Sequence, residues 1–210
     1  MPSLEKLIDI SRPLAYTTAC WPGDTPFSFA LNWRIRDGAS VNVGSITASV
    51  HSATHCDAPF HFDDAGVSVG LLDPAVFVGP AWVVDVRGCD GRWVERLKSL
   101  DWQRTPRVLF RTGGWPDSAF FPESIPTMEK ELPAWLGERG VVLIGVDAPS
   151  VDPLDSKTLD NHHALGRAGI AIVEGLQLDD APEGRYELIA PPLKIAGADG
   201  SPLRALLRPI

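Results

Sequence analysis

Val141-Val142-Leu143-Ile144-Gly145-Val146 carries no polar side chain at any position. Successive side chains of an extended chain point to opposite faces, so both faces of this segment are apolar, as a strand covered on both sides requires. It predicts a central strand in an α/β domain. Further strands are predicted at Ser45–Val50, Ala81–Val86, Arg107–Arg111, Gly169–Val173 and Tyr186–Ala190, each an aliphatic or β-branched run bounded by turn residues. The 19 prolines and 19 glycines are spread along the chain and punctuate many short elements, which suits a β-rich domain. Helices are predicted at Val94–Leu100, with Glu95 and Lys98 outward, and at Thr127–Arg139. In the second, Thr127 would cap, Glu129 to Glu131 would favour the positive end, and Pro133 would allow a later start.

At 210 residues and 44% hydrophobic, the chain is long enough for a substantial core, and one domain over residues 1–210 is the expectation. A net charge of −8, with 19 basic residues scattered among 27 acidic ones, argues against a nucleic-acid partner. No apolar run reaches the ~18 residues of a membrane span, and Met1-Pro2-Ser3-Leu4-Glu5-Lys6 lacks the features of a signal peptide. A soluble cytoplasmic protein without a membrane partner is expected. Cys20, Cys56 and Cys89 are odd in number and show no CxxC spacing, and read as reduced thiols.

Residues 151–165 follow Asp147-Ala148-Pro149-Ser150 without a clear period and read as a loop over a site. Within and after it stand Asp160-Asn161-His162-His163 and an apolar run that ends in Glu174. A carboxylate closing a buried strand needs a partner, because an unpaired buried charge costs several kcal/mol or takes up a proton. A metal is one such partner; an arginine is another.

The densest polar cluster lies upstream. His51-Ser52-Ala53-Thr54-His55-Cys56-Asp57-Ala58-Pro59-Phe60-His61-Phe62 holds three of the five histidines and an aspartate. Thr54 and Pro59 disfavour a helix there. In an extended chain His51, His55, Asp57 and His61 share one parity and so one face, while Cys56 and Phe60 point the other way, toward packing. Imidazoles and a carboxylate suit zinc, and three protein ligands with one open position is the catalytic pattern. Other readings remain open: separately hydrogen-bonded histidines, a noncatalytic metal-binding module, or Cys56 as a thiolate ligand or nucleophile.

These residues resemble the signature of the cyclase superfamily of metal-dependent hydrolases, and within it the bacterial kynurenine formamidases. The signature is similar to His-x-Gly-Thr-His-x-Asp-x-Pro-x-His-Phe, which His51 to Phe62 matches except that Ala53 replaces the glycine. Asp9-Ile10-Ser11-Arg12-Pro13-Leu14, Trp21-Pro22-Gly23-Asp24, Arg111-Thr112-Gly113, Gly145 to Ser150 and His162 to Leu176 also resemble family segments. The resemblance implies a swivelling β/β/α-type fold with mixed sheets and few helices, and a homodimer. It implies zinc-dependent hydrolysis of N-formylkynurenine in tryptophan degradation, with a cyclic amide such as isatin as the alternative substrate. It further implies that His51 and His55 bind one zinc, that Asp57 and Glu174 bridge two, and that His162, rather than the adjacent His163, binds the second. His61 would be the acid-base residue, and Trp21 would lie in the substrate pocket.

Overall fold

In a computed structural model, residues 6–102 and 104–210 are described; Met1–Glu5, part of the stretch read for a leader, lies outside them. The strands are β1 Ile8–Asp9, β2 Ser28–Trp33, β3 Val43–Thr47, β4 His55–Asp57, β5 Val78–Asp85, β6 Arg107–Arg111, β7 Leu143–Val146, β8 Ala171–Glu174, β9 Gly184–Ile189, β10 Gly200–Pro202 and β11 Leu206–Pro209. The α-helices are α1 Trp93–Leu97, α2 Leu132–Gly137 and α3 Asp160–Arg167. Nine strands form one curled mixed sheet in the order β1-β11-β9-β5-β6-β7-β8-β4-β10. β5 through β8 are parallel neighbours, and β9, β11 and β1 extend one side and β4 and β10 the other, all antiparallel.

The expectation of a doubly covered β7 holds. Ile144 and Val146 share a buried cluster with Val108, Phe110 and Ile172 and with Leu97, Leu132, Leu136 and Leu165 of the three helices. Leu143 points the other way, into a cluster with Val83, Leu109 and Val173 that Ile10, Tyr186, Leu188 and Leu207 complete. Helices therefore cover one face, and the curl of the sheet brings its antiparallel strands over the other.

Three expectations need correction. The strand expected over Ser45–Val50 ends at Thr47, and Val50 begins the turn that carries His51. The second helix starts at Leu132, within one residue of the later start that Pro133 allowed, with Glu131 and not Thr127 at its cap. Glu129 serves the other helix instead: its carboxylate accepts the N–H groups of Trp93 and Val94 at 2.8 and 2.7 Å, satisfying first-turn donors of α1. Finally, residues 151–165 are not loop throughout, because α3 begins at Asp160. Its period is hard to read because its inner face buries Asn161 and His162 as well as Leu165.

Candidate metal centre

The centre is built where β4 meets β8. Antiparallel pairing sets His55 opposite Glu174 and Asp57 opposite Ile172, while β10 on the far side of β4 sets Gly200 opposite Asp57. The shared-face expectation holds only within β4, where His55 and Asp57 point one way and Cys56 the other. His51 comes from the preceding turn and His61 from a 3-10 turn at Pro59–His61. The segment folds back on itself, and the rings of His51 and His61 meet with centroids 4.0 Å apart and planes inclined at 39°. Phe60, expected to pack inward, is exposed.

Thr54 ties the turn to β8: its hydroxyl accepts the Arg12 N–H at 2.8 Å and donates to the Gly175 carbonyl at 2.6 Å. Ala53 adopts φ +55, a left-handed conformation that glycine would hold with less strain. Its carbonyl lies 3.2 Å from Nδ1 of His55, so that nitrogen carries the proton and Nε2 faces inward. Gly175, at φ +66, passes so close that a Cβ there would stand 2.0 Å from the Ala53 carbonyl oxygen. Replacing Gly175 with alanine should therefore lower the melting temperature by roughly 4–12 °C, for a cost of ~2–3 kcal/mol. A thermal melt within 1 °C of the parent (~0.3–0.5 kcal/mol) would contradict this close approach.

Asp57 and Glu174 stand between histidines on two sides. Oδ1 of Asp57 is 3.0 Å from Nδ1 of His51 and 3.5 Å from Nε2 of His55, while its Oδ2 is 3.2 Å from Nε2 of His162. Oε2 of Glu174 lies 3.5 Å from His55, and Oε1 lies 3.5 Å from His162. Each carboxylate thus offers one oxygen to either side, which is what bridging two ions requires. His55, Asp57, His162 and Glu174 are all buried. Ligand atoms of His55, Asp57 and Glu174 lie within 4.8 Å of one another, as do those of His51, Asp57 and His61. Donor type and spacing fit a divalent ion of the zinc class.

Two carboxylates here are absent from the sequence expectations. Asp152 accepts from Nδ1 of His162 at 2.6 Å and from the backbone N–H groups of Asn161 and His162, turning Nε2 toward Asp57. Asp199 touches His51 and His61. The Val151 N–H donates to Oε1 of Glu174 at 2.8 Å. His163 lies beside its neighbour but turns away, its ring edge-on to Phe62 at 5.7 Å.

The electrostatics follow from this crowding. Burial alone would raise the Asp57 carboxyl, but hydrogen bonds from His162 and His51 and the charge of His55 hold it well below the usual carboxylate range. Burial would lower His51, yet Asp57 and then Asp199 lift it to about 9. In the same way Asp152, Asp57 and Glu174 outweigh burial at His162 and lift it to about 10. His61 differs: burial lowers it, and the charges of His51 and His162 offset the pull of Asp57 and Glu174. That direction favours the neutral imidazole at neutral pH.

An ion held by His51 and His162 would displace their protons, since ligating imidazole is neutral. Zinc binding at pH 7 should therefore release about two protons per chain from these rings, and affinity should weaken as pH falls below about 10, where His162 takes up its proton, and further below about 9, where His51 does. Calorimetry in buffers of different ionisation enthalpy measures this, and binding without proton release would exclude both histidines as ligands.

Trp21 and Phe121 pack edge to face at 5.1 Å and line a cavity of about 520 Å³ with Ile125, Pro153, Leu154 and Asp155. The 151–155 segment thus borders both the cavity and, through Val151 and Asp152, the centre. Cys56 is fully buried in the core and burial pushes its thiol up, which removes it as ligand or nucleophile.

Comparison with known proteins gives a consistent picture. A family model described as "Putative cyclase" matches residues 8–153. The chain is 49% identical over 203 residues to the kynurenine formamidase of Bacillus cereus, covering 97% of each chain. Among solved structures, a "predicted metal-dependent hydrolase" from Bacillus stearothermophilus superposes with a TM-score of 0.80 at 28% identity, covering 98% of each chain. Isatin hydrolase A from Ralstonia solanacearum superposes with a TM-score of 0.76 at 27% identity, covering 96% of this chain and 91% of that one.

Proposed function

The chain belongs to the cyclase family of metal-dependent hydrolases, and on that premise we propose that it hydrolyses N-formyl-L-kynurenine to L-kynurenine and formate. The observation that carries this reading is the 49% identity to a kynurenine formamidase along nearly the whole of both chains. The likeness to isatin hydrolase, at 27%, supports the fold and the metal chemistry more than the substrate.

In this reading His51 and His55 would hold one zinc ion and His162 a second, with Asp57 and Glu174 shared between them. Zinc, when bound, supplies Lewis-acid polarisation of a carbonyl and acidifies water to a pKa of ~7. His61, neutral and beside the cluster, accepts a proton as the formyl carbon gains its new oxygen, and delivers one to the aniline nitrogen as the C–N bond breaks. The Trp21 indole, with Phe121 behind it, offers a face on which the anthraniloyl ring stacks, at ~0.5–1.5 kcal/mol beyond burial alone. A panel of N-formylkynurenine, isatin and bulkier N-acyl kynurenines tests the substrate. Turnover of the formyl compound at least tenfold above the others is expected; preference for isatin would replace this reading with the cyclic-amide one.

The hairpin of β2 and β3 forms its own two-stranded sheet and leaves Phe29, Trp33, Val43 and Ile46 exposed. Isolated two-stranded sheets are marginal in water, and apolar patches of this kind mark contacts between chains. This supports the homodimer. Light scattering should give twice 22.7 kDa, and a monomer mass would count against it. A cytoplasmic location is part of the same reading, in keeping with Cys20, Cys56 and Cys89 being free. No helix among the described residues is long and apolar enough to cross a membrane.

A further inference from the structure

Asp199 immediately precedes β10. The pairing of Gly200 with Asp57 brings it beside the centre, and its carbonyl accepts the Ala58 N–H at 2.8 Å, so the sheet fixes its backbone. Its side chain reaches across two rings with one oxygen: Oδ2 lies 2.9 Å from Nε2 of His51 and 3.5 Å from Nδ1 of His61. The next residue must be glycine for the His51 ring to sit there, since a Cβ on Gly200 would stand 2.7 Å from Cε1 of His51.

The other inner histidines each have an anchor on the nitrogen facing away from the cluster: the Ala53 carbonyl for His55 and Asp152 for His162. Asp199 occupies the corresponding place for His51, whose Nδ1 faces Asp57. Among the described residues it is also the only hydrogen-bond partner of the His61 ring, leaving Nε2 of that ring for a substrate. Carboxylates that fix a ligating histidine's tautomer and angle typically govern metal affinity or activity by 10- to 100-fold.

We propose that Asp199 is a positioning residue for two histidines at once, holding His51 with one nitrogen toward the metal site and holding His61 at the angle needed for proton transfer. The His51 half concerns metal affinity alone; the His61 half rests on the formamidase reading. Because the Asp199 side chain is two-fifths exposed, its replacement leaves the core intact.

The test is Asp199→Ala beside Asp199→Asn in the full chain, with zinc affinity read by competition against a chromogenic chelator and kcat and KM read at saturating zinc. The alanine variant should lose about 10- to 100-fold in zinc affinity and about as much in kcat with KM within twofold. The asparagine variant should recover part of both, since its carbonyl still accepts an N–H. Unchanged zinc affinity in the alanine variant overturns the His51 half, and unchanged kcat, or a loss confined to KM, overturns the His61 half. If the parent does not turn over N-formylkynurenine, the formamidase reading and with it the His61 half fall, and zinc affinity still decides the His51 half.

Discussion

Replacing Asp57 with asparagine is expected to reduce turnover by at least ~10³-fold and to bring bound zinc well below one ion per chain. Asp57 is the residue on which both sides of the centre converge: one oxygen faces His51 and His55 and the other faces His162. Asparagine preserves its size but loses the charge and the second acceptor oxygen, so one half loses its ligand and the other keeps only a neutral amide oxygen. Several kcal/mol of Lewis-acid stabilisation depend on the metal, and each 1.36 kcal/mol is a factor of ten in rate. Metal analysis on the purified variant, with circular dichroism to verify the fold, checks the outcome. Two retained zinc ions with activity within tenfold of the parent would place the centre elsewhere.

The second large effect is expected at His61. Its alanine variant should retain parental zinc content and lose about 10²- to 10⁴-fold in kcat, the usual contribution of a general acid-base group. His61 differs from the ligand set: burial lowers its proton affinity where carboxylates raise those of His51 and His162, and its ring hydrogen-bonds to Asp199 instead of to Asp57 or Glu174. Its nearness to His51 and Asp57 would also permit ligation. Loss of zinc in the variant, with the rate recovered on adding metal, would make His61 a ligand and leave the proton step without a carrier.

Much of this architecture was readable from the chain. Arg107–Arg111 is a strand to the residue, because a fully buried parallel strand needs an unbroken apolar interior and Pro106 and Gly113 bound it closely. Val141 and Val142 fall outside β7, as Val142 instead donates to the Pro106 carbonyl before the ladder begins. Among the strands that escaped, β1, β10 and β11 have two to four residues and no room for a period, while β2, six residues long, is exposed along nearly its whole length and has no buried face to set one. Helix α3 escaped for a functional reason: its buried face carries Asn161 and His162 where a structural helix would carry apolar groups, so the site erased the pattern by which it is recognised.

The histidine cluster was legible as a concentration of donors, but not by the geometry first inferred. Parity explains His55, Asp57 and Cys56, whereas His51 and His61 arrive through turns that alternation cannot describe. Asp152 and Asp199 were not legible at all. Each is a lone carboxylate, ten residues from His162 in one case and 148 from His51 in the other, and only strand pairing brings the second to the ring it holds.

The most direct test of the whole account is hydrolysis of N-formylkynurenine by the purified protein, followed by absorbance, before chelation, after it, and after zinc is restored. Activity that is lost on chelation and regained with zinc is expected. A fully zinc-loaded protein that leaves N-formylkynurenine intact would contradict the proposed reaction, and one that hydrolyses it equally well after complete metal removal would contradict the centre.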